Sequence, residues 1–175
     1  MAYFNNKTIK GQVYDLAHLE PFTFDIDIDG SVFVVHVTFS CHCFTVEFGP
    51  EHTPDLRYRH KDEVRAFSVE RHDLSLKLPE MIRTLGFRSV YYSEQGNFFV
   101  LRDQELAGGK LPYLIFFSTF QANDRKIHVR MLIRSAYLKP NMSRWGAPVK
   151  FSTLVKFTAE GRQPRLGPKV QVKRK

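Results

Sequence analysis

The stretch Lys126–Tyr137 alternates as a β-strand does, and its two faces carry different chemistry. Ile127, Val129, Met131, Ile133 and Ser135 fall on one side; His128, Arg130, Leu132 and Arg134 fall on the other. One histidine and two arginines on one strand face are the residue types that metal-free RNA cleavage uses. A base takes the 2′-hydroxyl proton, an acid protonates the leaving oxygen, and cations hold the phosphate as charge develops. His128 suits the base or the acid, and Arg130 and Arg134 suit the phosphate, because a planar guanidinium matches its geometry. The plainer alternative is a solvent-facing polar strand whose arginines pair with Asp25 and Asp27 on a neighbour.

A second group, Arg57-Tyr58-Arg59-His60-Lys61, interleaves cations with an aromatic ring, and Arg65, Arg71 and His72 follow. Phosphate contacts beside a stacking face are the pattern of a nucleic-acid surface. Asp62, Glu63, Glu70 and Asp73 dilute the charge, so a salt-laced loop and helix start is the competing reading. His60 and His72 are the acid–base partners available to His128.

A third group is His36 with Cys41-His42-Cys43, which are soft metal-ligand types. On a regular strand the cysteines face one way and the histidines the other, so one tetrahedral ion does not reach both. The expectation is therefore two buried thiols flanking a polar histidine, with no metal and no cofactor assigned. Neither cysteine lies beside a helix N-terminus that would lower its pKa for nucleophilic work. Gly108-Gly109-Lys110 lacks the upstream glycine and the Ser/Thr of a phosphate-binding loop. No Gly-x-Ser-x-Gly elbow occurs, and Asp25, Asp27 and Asp29 lack the downstream glutamate of a calcium loop.

Two strings carry a resemblance to known families. Arg130-Met131-Leu132-Ile133-Arg134-Ser135-Ala136-Tyr137 resembles the late strand of the barnase–EndoU–colicin–RelE group of ribonuclease toxins. That resemblance implies a small α+β fold with a curved antiparallel sheet, metal-independent endoribonuclease activity, and a cognate antitoxin as partner. It also implies Arg134, Ser135 and Tyr137 near the phosphate. Phe39-Ser40-Cys41-His42-Cys43-Phe44-Thr45, with Arg65-Ala66-Phe67, is similar to small uncharacterised bacterial mobile-element proteins with stress or stationary-phase names.

The elements that must position these groups follow from pattern. Residues 12–19 read as a short helix. Phe22, Phe24, Ile26 and Ile28 alternate with polar residues as a half-buried strand, and Asp29-Gly30 marks a hairpin. The return strand runs from Ser31 to Phe39 and is open to continuing through Phe48. Residues 49–63 read as a loop, 64–69 as a strand, and a helix begins near Leu78 and stops at Gly86. Strands follow at 88–92, 98–102, 111–120 and 126–137, with loops at Ala107–Lys110 and around Pro140 and Asn141. Residues 151–158 fit a helix or a strand equally. The fold class is α+β: a curved, mainly antiparallel sheet of six or seven strands with one to three helices packed on it.

The chain has 175 residues, 43% of them hydrophobic, which suits one domain with a real core. Lys and Arg number 26 against 18 Asp and Glu, for a net charge of +8. Six of the cations, Arg162, Arg165, Lys169, Lys173, Arg174 and Lys175, lie in residues 161–175, which hold no acid. Residues 1–160 therefore read as one globular domain and 161–175 as a flexible basic tail. The tail is either an RNA or other polyanion contact or a solubilising end. No apolar run approaches the ~18 residues of a membrane span, and residues 1–10 lack an apolar signal region. The expected setting is cytoplasmic, with RNA or a partner protein as the target and no membrane contact.

Overall fold

Lys7–Ile9 (β1) and Gln12–Tyr14 (β2) form a hairpin through Lys10 and Gly11, at φ 49° and 83°. The helix expected over 12–19 is thus a strand followed by one 3₁₀ turn at Ala17–Leu19. Polar side chains decide this locally. Asn6 Oδ1 accepts the Leu16 N–H and Asp15 Oδ1 accepts the Ala17 N–H, so these amides are satisfied outside a helical ladder. The short turn still buries Leu16 and Leu19.

The computed structural model describes residues 2–93, 96–103, 111–139 and 146–162, with 96–103 described through its backbone. The loop expectations at Ala107–Lys110 and at Pro140 and Asn141 lie outside the described residues, as does the basic tail from residue 163.

Phe22–Ile28 (β3) and Ser31–Phe39 (β4) pair across the Asp29-Gly30 turn, where φ is 54° and 81°. Both central residues are left-handed, which is what a type I′ hairpin demands and Asp-Gly supplies. β4 stops at Phe39 rather than continuing to Phe48, because Ser40 Oγ accepts the His42 N–H (3.2 Å) and turns the chain into a 3₁₀ turn at Cys41–Cys43. Thr45–Glu47 (β5), Arg57–His60 (β6) and Glu63–Phe67 (β7) then make a small antiparallel sheet in the order β5-β7-β6. The end of the expected 49–63 loop is therefore strand.

Ser68 Oγ accepts the Arg71 N–H and starts Val69–Ser75 (α1), with Glu70 in the favourable first turn. Leu78–Arg83 (α2) begins where Pro79 fits the first turn. Ser89–Ser93 (β8), Gly96–Asp103 (β9), Tyr113–Gln121 (β10), Val129–Leu138 (β11) and Pro148–Lys150 (β12) follow, and Phe151–Ala159 (α3) is helical.

The main sheet has seven strands in the order β12-β8-β9-β10-β11-β4-β3. Every neighbouring pair is antiparallel except β4 with β11. That parallel contact joins the early hairpin to the late strands and so sets which side chains meet. The fold class is α+β. Among the described residues no helix is long and apolar enough to cross a membrane.

Register separates the faces of this sheet. Phe24, Val35 and Val129 align, as do Phe22, Val37 and Met131, and α3 covers this side with Phe151 against Phe24 and Phe117. Val35, Val37, Phe39, Val129, Ile133 and Phe117 are all buried there. Such a face supplies the folding drive, at roughly 25 cal/mol per Å² of apolar surface removed from water. The opposite face of β3, β4, β11 and β10 presents Asp25, Asp27, Val32, Arg130 and Phe120 to solvent.

Candidate nucleic-acid interface

Four side chains form one row across that exposed face. Thr23 pairs with His36, His36 with Arg130, and Arg130 with Phe120. Residues directly opposite in neighbouring strands point the same way, and strands lie about 4.8 Å apart. His36, Arg130 and Phe120 therefore span about 10 Å. Arg130 is exposed, Phe120 is 43% exposed, and His36 is half-buried. The acids of this face, Asp25 and Asp27, sit on β3 at the sheet edge, and Asp27 Oδ1 accepts the Gly30 N–H.

Other residues expected in the site fall elsewhere. His128 precedes the first residue of β11. Its Nδ1 accepts the Val34 N–H (2.9 Å), its own N–H donates to Val34 O (2.9 Å), and its ring meets Phe33 edge-on at 5.6 Å. Phe33 aligns with Ile26 on the core side. His128 therefore closes the β4–β11 seam instead of sharing a face with Arg130, and with Nδ1 accepting, the neutral ring carries its proton on Nε2.

Arg134 also departs from strict alternation. Phe116 pairs with Ser135 and Phe117 with Ile133, which makes Arg134 the extra residue of a β-bulge. Its Nε donates to the buried Ser118 Oγ at 2.9 Å. Tyr137 stacks on Phe116 (5.5 Å), and the Arg71 guanidinium lies 4.7 Å from its ring centroid. Arg71 in turn donates to the carbonyls of His42 and Thr45, tying α1 to the Cys41–Cys43 turn.

The basic run 57–61 belongs to the small sheet. Tyr58 is no stacking platform: it is buried against Phe44 (5.0 Å), its hydroxyl donates to Asn5 O (2.9 Å), and burial pushes the phenol up to about 12. His60 packs on Phe4 (4.8 Å) and Tyr3 (6.1 Å). Burial and then Lys61 lower its pKa, against an opposing pull from Glu63. Arg57 lies over Phe48 (5.1 Å), whereas Arg59 and Lys61 are exposed. Arg162 holds Glu160 and covers Phe157; Arg165, Lys169, Lys173, Arg174 and Lys175 lie outside the described residues. The expected cations thus divide between two sheets, and His60 and His128 do not share one.

Two functional candidates were hidden in the sequence. Phe120 sits in an apolar run of strand length; its exposure follows from its register with Arg130, which places it on the face opposite the core. Glu63 meets Cys41 and His42 from 21 residues away or more. His42 Nε2 lies 2.7 Å and Cys41 Sγ 3.8 Å from Glu63 Oε2, and the three donor atoms all fall within 4.8 Å. The hydrogen bond from His42 holds the Glu63 carboxyl below its usual range. Burial, with Glu63 next, pushes the Cys41 thiol up. The strand geometry that set cysteines against histidines does not apply here, since the segment is a 3₁₀ turn. Cys43 points into the core, where burial raises its pKa strongly, and His36 stays on β4.

A third cluster is structural. Ser75 is fully buried and gives its proton to His72 O (2.7 Å), so His18 Nε2–H donates to Ser75 Oγ (2.7 Å). His72 Nε2 reaches Asp15 O (2.9 Å) and its Nδ1 reaches Asp73 (3.0 Å). This knot ties the first 3₁₀ turn to α1. Burial, then the neighbouring His72, lower the His18 pKa to about 4.

A model described as the YjaZ family matches residues 6–159. The chain belongs to the YjaZ family. No curated protein and no solved structure matches it. The family match takes in the seven-stranded and three-stranded sheets, the His36–Arg130–Phe120 row and the Cys41–His42–Glu63 cluster, and it ends before the basic tail.

Proposed function

We propose that the protein binds single-stranded RNA across the exposed face of its seven-stranded sheet, without cutting it. The observation that carries this reading is the in-register row of His36, Arg130 and Phe120. A sheet that displays an aromatic ring beside cations gives bases a stacking surface and phosphates a partner. Phe120 stacks a base, Arg130 meets a phosphate or stacks on the next base, and His36 extends the platform. Asp25 and Asp27 repel phosphate from the β3 edge, so the strand runs toward β10. The basic tail adds sequence-independent attraction. Cleavage is left out because His128 has its Nδ1 committed to Val34 and His60 stands on the other sheet.

The test is fluorescence anisotropy with a labelled single-stranded RNA at several salt concentrations, with RNA integrity checked by gel. A base stacked on an aromatic ring contributes about 1–3 kcal/mol, so Phe120→Ala should weaken binding by about 5- to 150-fold. Arg130→Ala should weaken it and make the salt slope shallower by about 0.7. Equal affinity for both variants and wild type, or no binding by the wild type, refutes the reading.

A further inference from the structure

We propose that Cys41, His42 and Glu63 form a mononuclear site for a divalent transition-metal ion of the zinc class, with one coordination position open to solvent. The inference stands apart from RNA binding, since these residues lie on the 3₁₀ turn after β4 and at the start of β7. The donors are a thiol sulfur, an imidazole nitrogen and a carboxylate oxygen, all within 4.8 Å of one another. Zinc takes all three types, and a sulfur–nitrogen–oxygen set disfavours magnesium and calcium, which prefer oxygen alone.

The spacing suits a tetrahedral centre. Ligands held about 2.0–2.3 Å from one ion lie about 3.3–3.7 Å from each other. The His42 Nε2 and Cys41 Sγ distances to Glu63 Oε2, 2.7 and 3.8 Å, lie on either side of that range. An ion therefore enters by parting His42 from Glu63 by about 0.6–1 Å and drawing Cys41 toward Glu63 by about half an ångström or less, within a cluster whose donor atoms all lie within 4.8 Å of one another.

The backbone beneath the donors is fixed. Cys41 O accepts from the Thr45 hydroxyl (2.7 Å) and the Phe44 N–H (3.2 Å). The His42 N–H is held by Ser40 Oγ, and His42 O by Arg71. Glu63 pairs with His60 across the hairpin turn. Arg65 donates to Thr45 Oγ1 (2.8 Å), which orders the hydroxyl that supports Cys41. A thiolate and a carboxylate together cancel the charge of a divalent ion. Cys41 is 3% exposed, while the side chains of His42 and Glu63 keep 35% and 56% exposure. The site is thus closed on the sulfur side and open on the other. Three protein ligands with a free fourth position is the arrangement of catalytic rather than structural zinc.

The experiment uses tag-free full-length protein, titrated calorimetrically with Zn²⁺ alone and spectroscopically with Co²⁺ as the probe. One ion per chain is expected, with a thiolate-to-cobalt charge-transfer band that Cys41→Ser abolishes. Glu63→Gln should weaken zinc binding at least tenfold with an unchanged circular dichroism spectrum, because Glu63 is exposed. If Cys41→Ser does not fold, Glu63→Gln decides alone. No uptake by the wild type overturns the proposal. So does zinc bound equally well by Glu63→Gln, which would place the ion elsewhere.

Discussion

Acid should loosen the knot between the first 3₁₀ turn and α1 through His18. Its folded pKa is lowered from 6.5 to about 4, chiefly by burial. The fold therefore favours the neutral ring. That stabilisation is fully present above pH 6.5 and is lost as the pH falls toward 4. A change from 6.5 to about 4 corresponds to at most about 3 kcal/mol. The imidazole keeps part of its solvent contact, which reduces the figure to about 1–2 kcal/mol over the whole window. Between pH 7 and pH 5 the share is about 1 kcal/mol, or about 2–4 °C in Tm for a chain of this size. His60 is shifted in the same direction, so the assay compares proteins rather than reading one slope. Urea melts at pH 7 and pH 5 would be run on wild type and His18→Gln, whose amide nitrogen can still donate to Ser75. The variant should lose about 1 kcal/mol less than wild type on acidification. An equal loss in the two proteins would refute the assignment.

Other expectations concern the frame and the tail. Ile133→Ala, at a fully buried position on β11, should cost about 2–5 kcal/mol in a denaturant melt; a loss under 1 kcal/mol would mean the β4–β11 seam is not the core. Gly30→Ala places a side chain at φ 81° and should cost about 1 kcal/mol, whereas an unchanged midpoint would contradict the type I′ turn. Deleting residues 163–175 removes five cations and should flatten the salt dependence of RNA binding while leaving the Phe120→Ala penalty intact. If the deletion also erases that penalty, the tail rather than the sheet is the binding surface.

The β3–β4 hairpin was legible because Asp-Gly and four alternating apolar residues state it twice. Strand β11 was legible from its apolar alternation, β10 from an apolar run of strand length, and α2 from Pro79. Three features were not. Residues 12–19 have helical spacing, yet Asn6 and Asp15 take the amides that a helix would use. The bulge at Arg134 depends on how β10 and β11 meet, which no local pattern encodes, and it moves Arg134 toward Ser118. His128 has the right parity for the polar face, but its Nδ1 takes the Val34 N–H and its ring packs against Phe33. The sites follow the same rule. Arg130 was visible in its own strand, but its neighbours His36 and Phe120 come from β4 and β10, and strand order alone brings them together. Glu63 reached Cys41 and His42 only because Ser40 broke the strand that would have separated thiol from imidazole.

The most direct test of the central claim is ultraviolet crosslinking of single-stranded RNA to the full-length protein, with the attached peptides mapped by mass spectrometry. Crosslinks on β10 and β11, at or beside Phe120 and Arg130, are the predicted result. Crosslinks confined to residues 57–61 or to the tail, or none at all, would contradict a sheet-face RNA site.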